Sequence, residues 1–323
     1  VDLNRSYPLV GAATAFRDLQ PEVQAMIEFG SAHHFTLSAN LHGGADVFNY
    51  PWDTWTSYQR PHADDNWWYY VGRKFADTCH TYSSSYMHEE DNGVTEGGDW
   101  YVITGSRQDY YNYYLQCREV TIEVCNSKVL QSNYLPNYWG YIYHSFLNNL
   151  KEAQYGFSGV VTDSLTLEPI EASVVIENHD DNVSFVYAHL PMGDYHRPVK
   201  GGTYQVTYSA AGYYPKTITL TATDEQATVQ NVALVPYGYG VENLDNPLVE
   251  VYPNPTAGDL HVHLPADMSE VVMTLYDAAG HCVCQRTLSQ PEAVIPMQEL
   301  PSGVYLLCLT KGGQRVFQQK VVR

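Results

Sequence analysis

Positive charge is scarce in this sequence of 323 residues: 17 Lys plus Arg stand against 36 Asp plus Glu, a formal net charge of −19. Nucleic acid and anionic membrane surfaces are thereby excluded as expected partners, because both are bound through clusters of cations. Long apolar runs are also missing, and without 18 consecutive apolar residues no transmembrane helix is expected. The six cysteines (Cys79, Cys117, Cys125, Cys282, Cys284, Cys308) include no Cys-x-x-Cys and no Cys/His set with zinc-finger spacing. A structural metal framework is therefore excluded, while a Cys117 to Cys125 disulfide and buried free thiols stay open as equal alternatives. Phenylalanine is sparse, 9 residues against 28 Tyr, a balance that suits an exported protein handling peptides or carbohydrates.

What is present divides into three blocks, within the two or three domains that this length allows. Residues 1–155 alternate helical and extended patterns. Pro21-Glu22 opens a helix that carries Val23, Met26 and Ile27. Residues 35–41 form a strand running into His42-Gly43-Gly44, and Val120, Ile122 and Val124 share one face of another strand whose opposite face carries Thr121 and Glu123. Trp139, Ile142, Tyr143, Phe146, Leu147 and Leu150 recur at helical spacing and are expected to close the domain. The implied class is α/β: a mixed, mainly parallel sheet covered by helices on both faces, with sites gathered beyond the carboxyl ends of strands. Residues 156–236 change to short alternating strands separated by Gly and Pro turns, which predicts a small β-sandwich. A linker, 237–248, leads to a second all-β block at 249–323.

The chemistry lies in the first block. Arg5 offers a planar, permanently charged guanidinium that can hold a carboxylate through two parallel hydrogen bonds, with Asn4 beside it. His42 stands at a strand end followed by two glycines, which let backbone approach a bound ion. Glu123 interrupts an apolar strand, where a carboxylate is costly unless it is paired, metal-bound or opened to a cavity. Taken singly, each has an ordinary explanation: a solvated polar loop, a histidine bonded to backbone, a strand with one wet face.

Together, Asp2-Leu3-Asn4-Arg5-Ser6-Tyr7-Pro8, His42, Tyr101 and Glu123 resemble the later part of the catalytic domain of zinc metallocarboxypeptidases of the N/E, or regulatory, type. The resemblance implies that Asn4 and Arg5 bind the substrate's terminal carboxylate, and that His42 is the third Zn2+ ligand. It makes Glu123 the general base and acid, and Tyr101 the phenol that closes over substrate. Asp53 matches the acid that selects C-terminal Lys or Arg, and Gln108 the second pocket position; Arg107, beside Gln108, can neutralise Asp53. Two further ligands, from a His-x-x-Glu, are expected upstream of residue 1, so the chain as given is expected to be inactive. His33-His34 and His88-Glu89-Glu90 are read as surface loops rather than replacements.

The second block, with Gly201-Gly202-Thr203-Tyr204 and Ala211-Gly212-Tyr213, resembles the transthyretin-like domain of the same enzymes. The third, opening Tyr252-Pro253-Asn254-Pro255 and containing Gly303-Val304-Tyr305-Leu306, resembles the C-terminal sorting domain of the type IX secretion system. That implies a secreted or surface-attached bacterial protein, monomeric, whose partners are peptide C-termini and the secretion machinery. A noncatalytic surface protein that binds peptides, and a carboxypeptidase that trims peptidoglycan peptides, are the competing readings.

Overall fold

The computed structural model describes residues 1–11, 19–237, 249–265, 268 and 270–323. Two compact units result, Val1–Tyr237 and Gly238–Arg323. The expected linker at 237–248 lies, beyond Tyr237, outside the described residues.

The first unit begins with a four-stranded sheet in the order β1-β4-β2-β3, where β1 is Leu37–His42, β2 Ala45–Tyr50, β3 Val94–Glu96 and β4 Arg118–Cys125. β1 runs parallel to β4 and β2 parallel to β3, while β2 and β4 are antiparallel, so the sheet is mixed with parallel pairs in the majority. Six helices accompany it: α1 Pro21–His33, α2 Asp65–Tyr82, two short turns α3 Glu89–Gly93 and α4 Gly97–Trp100, then α5 Arg107–Leu115 and α6 Leu135–Lys151. On one face Phe48, Trp68, Phe75, Val120 and Ile122 meet Ile142 of α6, each almost wholly buried. Side chains of this size contribute roughly 1.5–3 kcal/mol each when removed from water. On the other face α1 and α5 pack through Val23 and Tyr111. Gly30 makes that approach possible, since a Cβ there would lie 2.8 Å from Leu115 Cδ1 and Tyr111 Oη.

The alternation of β4 follows the sequence pattern. Val120 and Ile122 enter the core; Glu119, Thr121 and Glu123 point to the other side. Helix α6 departs from its expectation. Ile142 is buried, but Trp139, Leu147 and Leu150 are more than half exposed. They line, with Leu37 and Leu41 of the edge strand β1, an open apolar groove of about 440 Å³. Helical spacing reports an apolar stripe and cannot say what covers it.

The same unit continues into a sandwich of eight strands: β5 Gly156–Asp163, β6 Ala172–Ile176, β7 Val186–Ala188, β8 Asp194–Arg197, β9 Gly202–Ser209, β10 Lys216–Ala222, β11 Ala227–Val229 and β12 Val232–Leu234. One sheet is ordered β10-β9-β6-β7; the other sets β5 between β8 and the collinear β11 and β12. The extended run 227–234 divides at Gln230-Asn231, where the Asn231 side chain accepts from Val160 N (3.0 Å) and takes over a ladder bond. β8 has too little apolar alternation to be legible: Tyr195 and Arg197 point inward, and the buried Arg197 is an ion-pair residue.

The second unit is an independent sandwich. Its strands are β13 Glu250–Tyr252, β14 Asp259–His263, β15 Val271–Tyr276, β16 Cys282–Leu288, β17 Glu292–Pro296, β18 Val304–Lys311 and β19 Gln314–Val322. They form sheets β13-β14-β17 and β16-β15-β18-β19 around Leu260, Met273, Leu275, Leu307 and Phe317. Asn254 of the Tyr-Pro-Asn-Pro motif donates to Lys320 O (2.6 Å) and accepts from Val322 N (3.0 Å). Its side-chain amide thus stands in for a backbone partner along β19. All six cysteines are free thiols, Cys117 and Cys125 both buried.

Candidate functional site

The parallel register of β1 and β4 sets Leu41 beside Ile122 and His42 beside Glu123. Two chemically useful side chains therefore share the carboxyl end of one strand pair. His42 Nδ1 lies 3.5 Å from Glu123 Oε1, and its Nε2 lies 2.9 Å from the Asn40 side-chain nitrogen. Glu123 is 7% exposed, and its Oε2 is buried without a hydrogen-bond partner among the described residues. A buried carboxylate oxygen left without a donor is aimed at something the protein does not itself supply.

Asn4 and Arg5 reach the same place from a different element. Residues Leu3–Arg5 make a single turn capped by Asp2, whose carboxylate accepts from Asn4 N (3.0 Å). Asn4 Oδ1 in turn accepts from Arg107 N (2.9 Å) at the start of α5. That bond fixes the turn to the helix. α5 itself is capped by Ser106, which accepts from Asp109 N (3.2 Å).

Asp109, one turn into α5, holds the loop that carries Asp53. Its two oxygens accept from Asp53 N (2.8 Å) and Thr54 N (2.9 Å). Asp53 Oδ1 accepts from Asn49 (3.2 Å) and Gln108 (3.3 Å), and the other end of the Gln108 amide accepts from Thr121 N on β4 (2.6 Å). Gly97 is required for this packing, because a Cβ there would stand 2.0 Å from Asp53 Oδ1. Burial raises the Asp53 carboxyl above the usual range, opposed by the Ser106 and Asn49 hydrogen bonds. Asp109 is pushed up to about 7 by burial and then by the Asp53 charge, and Glu96 to about 8 chiefly by burial.

Arg107 does not neutralise Asp53. It pairs with the buried Glu119 (3.1 Å) and lies over the Tyr111 ring, 4.9 Å from its centroid. The charges that oppose the upward shift of Asp53 are those of Arg5 and His42.

A pocket of about 310 Å³ gathers Asn4, Arg5, His42, Asp53, Tyr101 and Glu123 on its walls. Gln108 stays behind Asp53, fully buried, and Tyr101 is 48% exposed at the rim. His88 and Glu90 are exposed and Glu89 is half-buried, and none of them lines the pocket; they cap and open the short turn α3 rather than lie in a loop. His33 and His34 are exposed too, but they end and cap α1 rather than lie in a loop. Sequence reasoning gave no role to Lys128, on the pocket wall, or to Asp109. Asp109 carried a faint signal as the third residue after a helix-capping serine; Lys128 carried none.

A catalytic zinc site takes three protein ligands and leaves a fourth position open. His42 and the orphaned Glu123 oxygen suit the edge of such a site, and His42 is the single imidazole among the described residues on this pocket. One convergent metal-type triad, Asp64, His179 and Asp180, lies elsewhere and already receives the guanidinium groups of Arg118 and Arg197.

Comparison with known proteins agrees with this geometry. Residues 1–142 match the zinc carboxypeptidase family, 156–235 the carboxypeptidase regulatory-like domain, and 250–323 the secretion system C-terminal sorting domain. Carboxypeptidase SOL1 of Arabidopsis thaliana is 33% identical over 245 residues, 73% of this chain and 48% of that protein. Mouse carboxypeptidase D is 32% identical over 251 residues, 72% of this chain and 17% of the relative. The mouse carboxypeptidase N catalytic chain is 28% identical over 270 residues, 72% and 57%. The chain thus spans less than two thirds of each. Its first 142 residues belong to the zinc carboxypeptidase family, joined to a regulatory-like domain and to a sorting domain that marks the protein for export to the cell surface.

Proposed function

We propose that the protein acts in zinc-dependent removal of the C-terminal residue of peptides, with preference for Lys or Arg, after export by the type IX machinery. The observation that carries this reading is the meeting of Asn4, Arg5, His42, Asp53, Tyr101 and Glu123 around one pocket. Arg5, with Asn4 beside it, binds the terminal carboxylate, which only the last residue of a peptide offers. Asp53, backed by Gln108, receives the cationic side chain. Zinc, when bound, supplies Lewis acidity and activates water, and His42 is the residue here that would hold it. Glu123 takes a proton from the attacking water as the carbon–oxygen bond forms. It returns that proton to the amine nitrogen as the carbon–nitrogen bond breaks. Tyr101 donates a hydrogen bond at the rim without adding charge.

A single imidazole holds zinc poorly. We therefore also propose that these 323 residues alone bind zinc weakly at this pocket and bind peptide ends better than they cleave them. The test is calorimetry with tripeptides ending in Arg, in Phe and in amidated Arg, alongside assay of released arginine with added zinc. Binding of the Arg peptide that is lost on amidation and in Arg5→Ala supports the site. Equal binding of the amidated peptide overturns it, and release of Phe as fast as Arg overturns the specificity.

A further inference from the structure

Four of the chain's 13 histidines line one pocket that shares no lining residue with the one above. It lies between the end of α1 and the β7–β8 hairpin of the regulatory-like domain, has a volume of about 340 Å³, and is lined by His33, His34, His189, His196 and Asp194 but by no Lys or Arg. The hairpin fixes the arrangement. His189 N donates to Asp194 O (3.0 Å), so the two residues face each other across the hairpin and project to one side. His196, two residues beyond Asp194, projects to that side as well, with Nε2 3.4 Å from Asp194 Oδ2. The inward-facing Tyr195 between them is buried and anchors the strand. From the opposite wall, His34, held in the left-handed region (φ 48°) as the cap of α1, stacks on His189 with centroids 3.8 Å apart and planes inclined by 11°.

We propose that His34, His189, His196 and Asp194 form a binding site for a divalent transition-metal ion that joins the catalytic and regulatory-like domains. Imidazole nitrogen with one carboxylate is the donor set that zinc, copper and nickel favour. The donors must be neutral imidazole, and burial followed by the neighbouring His34 lowers the proton affinity of His189. The ring nitrogens of His34 and His189 make no hydrogen bond to protein among the described residues, whereas His33 Nδ1 is engaged by Phe29 O (2.8 Å) and contributes least. The four donors do not converge on one point as the rings stand, so coordination requires the stacked rings to fan apart by side-chain rotation. The strongly acidic chain raises the local concentration of any cation.

The experiment uses the full 323-residue chain carrying His42→Ala, which removes the active-site imidazole and separates this site from the function proposed above. Zinc is titrated against a competing fluorescent chelator. One equivalent bound with a dissociation constant on the order of 1 µM is expected. His189→Phe preserves the ring stack while deleting the donor, and should weaken binding at least about tenfold, as should His196→Ala; His33→Ala should leave it within about twofold. Circular dichroism melting identifies any variant that fails to fold. Retention of the bound equivalent in the His34→Ala, His189→Phe double variant overturns the proposal, as does failure of the His42→Ala chain to bind zinc at all.

Discussion

Asp53 and Asp64 are both almost completely buried aspartates of the same unit, and their surroundings are opposite. Asp64, just before α2, receives Arg118 of β4 through two bonds (3.1 and 2.7 Å) and Arg197 of β8 through two more (3.0 and 2.8 Å). Arg197 also binds Asp180, and Arg118 donates to the Ser184 carbonyl. The two guanidinium groups hold the Asp64 carboxyl well below the usual range despite its burial. Asp53 has amide donors around it and no guanidinium clamp like that of Asp64; the nearby Arg5 and His42 charges only oppose the burial that moves its carboxyl the other way. A buried acid whose charge is already balanced ties elements together. One without such a clamp suits the cation-receiving role proposed for Asp53.

The largest effect expected from breaking this contrast is at Asp64. Asp64→Asn leaves two buried arginines short of charge, and removing one partner of a buried ion network costs about 3–5 kcal/mol. Urea unfolding followed by tryptophan fluorescence should show that loss. A change below about 1 kcal/mol would place the network among the energetically neutral ones.

Asp53→Asn should do the reverse. Replacing an uncompensated buried carboxylate with an amide of the same shape should leave stability unchanged or slightly raised. Affinity for a peptide ending in Arg should fall at least about tenfold, about 1.4 kcal/mol, with little change for one ending in Phe. Calorimetry on the two peptides separates the outcomes, and equal losses for both would remove Asp53 from specificity.

The pH dependence sharpens the same comparison. Asp109 supports the Asp53 loop and titrates near 7 when folded against 3.8 as the ordinary value. Between those pH values the folded chain binds more protons at Asp109 than the unfolded chain. Stability therefore falls through this group as pH rises from about 4 to 7. Below pH 4 both states are protonated and the penalty vanishes. Asp109→Asn should be most favourable relative to wild type at neutral pH and lose that advantage toward pH 4. The expected change in slope is less than one proton, at most about 1.4 kcal/mol per pH unit. Parallel urea titrations at pH 4.5 and 7.5 measure it, and an advantage that grows on acidification would contradict the sign.

How far the sequence discloses this contrast depends on the range of the interactions. The alternation in β4 separates Ile122 from Glu123, and the spacing of turns marks the sandwiches, because both patterns are local. His42 and Glu123, 81 positions apart, were joined through resemblance to a family, and it is the β1–β4 register that brings them together. The partners of Asp64 were not legible. Arg118 and Arg197 are 79 residues apart in different domains, and an arginine in a strand has the same sequence signature whether it is solvated or buried. For the same reason Arg107 looked able to reach Asp53, when its charge is held by Glu119 on the neighbouring strand face.

The smallest expected effect probes how the unbalanced side is held in place. Ser106 caps α5 by accepting from Asp109 N, and so fixes the first turn of the helix whose Gln108 and Asp109 support Asp53. Ser106→Ala removes one cap, typically about 1 kcal/mol and within range of careful thermal melts, together with the hydroxyl's own hydrogen bond to Asp53. The informative quantity is its coupling to Asp53→Asn. If the cap acts by holding the Asp53 loop for its ligand, Ser106→Ala should weaken binding of the Arg peptide in the wild-type background and add nothing once Asp53 is Asn. If the two losses in affinity simply add, Ser106 serves α5 alone, and neither its cap nor its bond to Asp53 positions the carboxylate for the ligand, which Asn49 and Gln108 then do.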